Sequence, residues 1–168
     1  MNAYTLILEN YLRELTESQR LFHVSTHHKI KKLIPKIPDN FYTKNDWENK
    51  TIKRISVSTD IDHCLLALGY NVINESKIFS VYEPKDYSKI KVLSNREIIK
   101  KDYVFDAKQT KETWLLTPTE FKNIAKIKVL RASNKYETVP IVPDGPPDTP
   151  KENRKAWYWE WEVIDGEI

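Results

Sequence analysis

Hydrophobic and polar positions follow two different periods along this chain. Near the N-terminus Tyr4, Leu8, Tyr11, Leu12 and Leu15 recur at helical spacing with charges between them. That pattern predicts an amphipathic helix over residues 1–20. From Leu21 onward short apolar runs take over. "LFHVST" (Leu21–Thr26) predicts a strand with His23 at its centre. "HHKIKKLIPKIP" reads as a helical turn stopped by Pro35 and Pro38. Residues 39–51 have no period and predict a loop carrying Phe41, Tyr42 and Trp47, expected as a lid.

"RISVS" predicts a second strand that passes directly into a helix with an apolar stripe of Ile61, Cys64, Leu65 and Leu68. Thr59 is the expected N-cap, with Asp62 completing a capping-box spacing, and Gly69 ends the helix. "KIFSVYEP", "YSKIKVLS", "YVFDA", "ETWLLTP" and "AKIKVLRAS" each predict strands. Residues 138–156 are proline-rich and read as a turn or linker. In 157–164 the alternation is strict: Trp157, Trp159 and Trp161 share one face, and Tyr158, Glu160 and Glu162 the other. The whole predicts one α+β domain with a mainly antiparallel sheet.

Composition narrows the function. The chain has 168 residues, 40% of them hydrophobic, enough for one domain with its own core. Its net charge of +3 is spread among interspersed acids and bases, which argues against a concentrated nucleic-acid footprint. Only Gly69, Gly145 and Gly166 are glycines, so no glycine-rich phosphate loop can be drawn; a nucleotide would be held by side chains. The single cysteine, Cys64, excludes an internal disulfide and makes a reducing cytoplasm the expected compartment. No apolar run is long enough for a membrane helix. His27, His28, His63 and Cys64 lack the paired spacing of a structural zinc site, and no metal is expected.

Three short strands each carry a polar residue where a core residue would cost less: His23, Ser58 at the strand-to-helix joint, and Glu112 at the head of "ETWLLTP". Ser58 and Thr59 are equally explained by helix capping, and His23 by a cross-strand role.

The order of these motifs resembles the ADP-ribosyltransferase-like superfamily over about residues 21–129. "LFHVST" is similar to its first strand, with Ser25 two residues after His23; "ISVSTDIDHCLLAL" to its second motif; "TKETWLLTPTEFKNIAKIKV" to its third. The resemblance implies a split antiparallel sheet with an NAD-binding core over 21–130. It implies that Glu112, His23 and Ser58 are catalytic, and that His23, Ser25, Ser58, Thr59, Tyr82 and Trp47 contact NAD as co-substrate. Trp114 is a further aromatic available for stacking. ADP-ribose would pass to a macromolecular acceptor, protein or nucleic acid. Thr110 stands two residues before Glu112, where arginine-directed members carry a second acid, so arginine is disfavoured as that acceptor. The Lys-, Asn- and Ile-rich composition suits an accessory protein of a low-GC bacterium or its phage. The competing expectations are an inactive binding module on the same fold and a single-strand binder using the tryptophan stripe.

Overall fold

A computed structural model describes residues 20–39, 48–68, 70–137 and 156–168. The expected N-terminal helix, most of the 39–51 loop with Trp47, and the proline-rich stretch 138–155 lie outside these residues.

The described chain is α+β, and every strand pairing in it is antiparallel. β1 is His23–Ser25, β2 Lys32–Leu33 and β3 Ile55–Val57. Helix α1 (Ile61–Leu68) and the short α2 (Tyr70–Glu75) follow. β4 (Ile78–Pro84), β5 (Val92–Leu93), α3 (Asn95–Lys100), α4 (Ala107–Thr110) and β6 (Thr113–Leu115) come next. The long β7 (Thr119–Glu137) and β8 (Ala156–Gly166) end the chain.

Two sheets result. One runs β1-β4-β7-β2, with β8 also paired to β7; the other runs β3-β6-β5. Isolated bridges join them on either side of β3: Lys36 pairs with Arg54, and at the other end Phe22 N–H donates to Ser58 O at 2.7 Å and Ser58 N–H donates to Phe22 O at 3.0 Å. This seam fixes β1 against the end of β3.

The cores follow from the strand periodicity. One face of the larger sheet buries Val24, Phe79, Val81, Ile127 and Trp159 against Ile61, Cys64 and Leu65 of α1 and Ile73 of α2. Alternation along β4 sends consecutive side chains to different cores, while the register irregularity opposite Val81 and Tyr82 falls on β7, where Ile124 is skipped. Val81 joins the first core, and Tyr82 joins a second made with Ile55, Val57, Leu115 and Phe121 between the sheets. A third gathers Ile98, Val104, Ala107 and Trp114. On β8, Trp159 is buried and Trp161 packs against the same core, so both lie on one face as the alternation predicts. The base-stacking use of this stripe is therefore disfavoured for these two.

Several local expectations are corrected. "HHKIKK" forms no helical turn. Lys32 and Leu33 pair with Glu120 and Thr119, and Lys31 O accepts from Phe121 N–H at 2.9 Å. The α1 N-cap is Asp60 rather than Thr59: Asp60 Oδ1 accepts the His63 backbone N–H at 2.8 Å, the N3 donor that a cap satisfies. "YSKIKVLS" gives only the two residues of β5, preceded by a 3-10 turn at Tyr87–Lys89. The segment after it is α3, opened by a complete capping box between Ser94 and Glu97. "YVFDA" contributes one bridge at Val104 and then α4.

Candidate functional site

The seam between the sheets is where the singled-out residues meet. A cavity of about 140 Å³ is lined by His23 and Val24 of β1, Ser56 to Ser58 at β3, four residues of α1 (His63, Cys64, Ala67 and Leu68), Thr110 of α4, and Glu112. His23, Ser58 and Glu112, from three distant parts of the chain, thus share one space. Its size is close to the roughly 150 Å³ of an apolar protein cavity that holds one benzene ring.

Each wall residue is set by local backbone. His23 Nδ1 lies 3.1 Å from Ser56 O. A carbonyl only accepts, so Nδ1 carries the proton and Nε2 is the nitrogen left for a ligand. Burial lowers the His23 pKa, with the Ser56 bond opposing it, so the neutral ring with an Nε2 lone pair is favoured. The Ser58 hydroxyl points toward the carbonyls of Thr110 and Lys111, both at 3.4 Å. Lys111 closes α4 in the left-handed region at φ 46, and its N–H bonds Ala107 O at 3.1 Å. That reversal turns Glu112 into the seam. Asn95 holds the turn from outside, its Nδ2 donating to Ala107 O at 2.7 Å and to Glu112 O at 3.0 Å.

Glu112 is buried. Its Oε1 accepts from Trp114 Nε1. Burial raises its pKa, and nearby Glu48 adds to the rise; Trp114, Arg54 and Ser56 oppose it. Behind it lies a charged cluster. Arg54 is buried, with its guanidinium 4.1 Å from the Trp114 ring centre and its Nη2 2.9 Å from Glu48 Oε2. Arg54 Nη1 donates to Asn49 O and Ile52 O, while its buried Nε has no hydrogen-bond partner among the described residues. Asp106, at the start of α4 without a side-chain cap bond, is pushed up to about 7, first by burial and then by Glu112 and Glu48. Glu48 and Glu112 therefore both act on Arg54, and Asp106 shares the field of these two acids.

The other wall holds a histidine–carboxylate pair. His63 is buried, and its Nδ1 bonds Asp60 Oδ2. Burial raises Asp60, but the side-chain and backbone bonds from His63 outweigh it and hold the carboxyl below its ordinary value. Cys64 Sγ donates to Phe22 O at 3.2 Å, and burial raises its thiol pKa far above the ordinary range. It is a core thiol that happens to line the cavity.

The remaining expected contacts lie elsewhere. Tyr82 is wholly buried in the inter-sheet core, with its hydroxyl donating to His27 O at 2.6 Å and accepting from Ile30 N–H at 3.2 Å; it has no face left for a ligand. Ser25 accepts from His27 N–H at 3.1 Å, closing the turn after β1. Thr59 is not among the cavity walls, Asp60 having taken the cap. Trp114 is fully buried behind Glu112 rather than open to the cavity. Trp47 lies outside the described residues. Reading the sequence for strands missed Ser56, Arg54, Asp106 and the Asp60–His63 pair. Only the last had a usable signal, the three-residue spacing in "DIDH".

Compared with protein-family models, curated proteins and solved structures, the chain matches none. Among the described residues no group of three or more His, Cys, Asp or Glu is placed to hold a metal ion, and no helix is long and apolar enough to cross a membrane.

Proposed function

We propose that this protein is an NAD-dependent transferase of the ADP-ribosyltransferase type, passing ADP-ribose to a macromolecular acceptor from the cavity at the sheet seam. One observation carries the reading: His23, Ser58 and Glu112 line the same ring-sized cavity between two antiparallel sheets. The cavity takes one flat ring such as nicotinamide, leaving the rest of the dinucleotide outside it.

Each residue has a chemically sensible part. Neutral His23, fixed through Nδ1, offers Nε2 as an acceptor to a ribose hydroxyl. Ser58 shapes the ring pocket where β3 hands over to α1. Glu112 sits in low dielectric, where its charge is costly alone and most effective once a positive charge forms beside it. A cationic ring in the cavity favours the ionised carboxylate, and positive charge developing on the ribosyl carbon favours it further. Trp114 Nε1 fixes the direction of that carboxylate.

A binding module on the same fold is the second reading. It is favoured by the ties of Glu112 to Trp114 and of Arg54 to Glu48, which a purely structural cluster would also show. Nicotinamide release separates the two. Wild-type protein with NAD and a cell lysate releases nicotinamide under the enzyme reading, and Glu112→Gln loses about a hundredfold or more in turnover with NAD affinity kept. His23→Ala instead raises KM, since its contact is present before and during reaction. Wild type that binds NAD without releasing nicotinamide leaves the binding module.

A further inference from the structure

Under the transferase reading, on which this inference rests, we infer that His63 is the general base that deprotonates a hydroxyl-bearing acceptor, with Asp60 as its positioning residue.

The argument begins with atoms. His63 lines the same cavity as Glu112 and His23. Its Nδ1 faces Asp60 Oδ2. An ionised carboxylate only accepts, so Nδ1 carries the hydrogen, and in the neutral ring Nε2 is then the nitrogen with the lone pair. Asp60 is locked in turn: its other oxygen, Oδ1, accepts the His63 backbone N–H at 2.8 Å. One carboxylate thus caps α1 and sets the imidazole's tautomer and orientation. A base held by an orienting acid is the arrangement by which enzymes activate neutral nucleophiles. The Tyr158 ring lies edge-on to the imidazole, with the ring centres 6.4 Å apart.

The other cavity groups are worse bases for this step. His23 is assigned to the ribose, Glu112 must stay ionised beside the ribosyl carbon, and the Cys64 thiol is held by Phe22 O. An already nucleophilic acceptor would need no base; a neutral O–H does.

The step balances without another reagent. The acceptor oxygen bonds to the ribosyl carbon as that carbon's bond to nicotinamide nitrogen breaks. The electron pair of the broken bond leaves with nicotinamide and neutralises its ring. The acceptor's proton passes to His63 Nε2, and Asp60 stabilises the imidazolium that results.

Two substitutions and one small anion test this. His63→Asn keeps a donor where Nδ1 stood but removes Nε2. Asp60→Asn keeps a competent N-cap but removes the charge that orients the imidazole. Nicotinamide release with lysate acceptors is measured beside NAD affinity and the thermal melt. His63→Asn is expected to lower release by about a hundredfold to ten-thousandfold, the ordinary worth of a positioned base, with NAD affinity kept. Sodium azide, an anionic nucleophile that needs no deprotonation, should restore release in His63→Asn to within about tenfold of wild type, because only the base step is missing. It should not restore Glu112→Gln. Asp60→Asn should show a smaller loss of the same kind with its melt unchanged. If His63→Asn turns over like wild type, or if azide fails to relieve its loss, the base role is overturned while the transferase reading stands. If wild type releases no nicotinamide, both fall together.

Discussion

Asp106→Asn should stabilise the protein, by an amount that grows from about pH 4 and is complete above about pH 7. Asp106 opens α4 with no side-chain cap bond, and the bond its carboxylate accepts from its own backbone N–H is one that an asparagine Oδ1 also accepts. What it removes is a charge that burial, Glu112 and Glu48 all disfavour. The folded carboxyl is pushed from 3.8 up to about 7. A raised carboxyl favours the folded state while it is protonated. That contribution is complete below about pH 4, falls as the unfolded chain ionises alone, and is gone once the pH passes about 7. The gap is roughly three pH units at about 1.4 kcal/mol each, so the ceiling is on the order of 4 kcal/mol. Asp106 is partly exposed and shares its field with two other acids, so about half of that is the expected gain. Urea denaturation of wild type and variant at pH 4.5 and pH 8 measures it. The unfolded carboxyl is already mostly ionised at the lower pH, so the difference between the two proteins should be about 1 kcal/mol there and about 2 kcal/mol at the higher, both in favour of the variant. A difference that does not change with pH would refute the reasoning, because it would mean that Asp106 titrates alike in folded and unfolded chains.

Other outcomes follow from the same packing. Asn95→Ala removes the side-chain donor from the Glu112 carbonyl and one of the two donors on Ala107 O, which keeps the Lys111 N–H, and should cost about 1–3 kcal/mol in urea denaturation, with a parallel loss of nicotinamide release because Glu112 is no longer held. Cys64 should resist a water-soluble thiol reagent in native buffer and react at the rate of unfolding, since its thiol is buried and bonded to Phe22 O. Trp161→Phe removes the 2.8 Å bond from Nε1 to Asp62 and should lower stability by about 1 kcal/mol without altering NAD affinity.

The parts legible in the sequence were those set by periodicity. Alternation in "AWYWEWEVI" puts Trp159 and Trp161 on one face because a strand's side chains must alternate. The apolar stripe of α1 likewise places Ile61, Cys64 and Leu65 on the sheet. What failed was short or non-local. β2 has two residues and owes its form to Glu120 and Thr119, far along the chain. α3 is barely more than a turn, although its Ser94-x-x-Glu97 box was there to be read. Arg54 opens the strand read in "RISVS" with no signal of burial; it is held by Glu48 and Trp114, which no local pattern connects to it. The meeting of His23, Ser58 and Glu112 followed from the order of the motifs. The Asp60–His63 pair did not, because spacing alone cannot tell a cap from an oriented base.

The central claim is that the seam cavity receives the nicotinamide end of NAD. Ala67 is exposed on α1 and also lines that cavity, so Ala67→Trp fills the space from its rim without disturbing the core. Calorimetric titration with NAD should show binding to wild type and none to Ala67→Trp, with the two melting alike. Equal binding by both proteins, or no heat from wild type, would contradict the account.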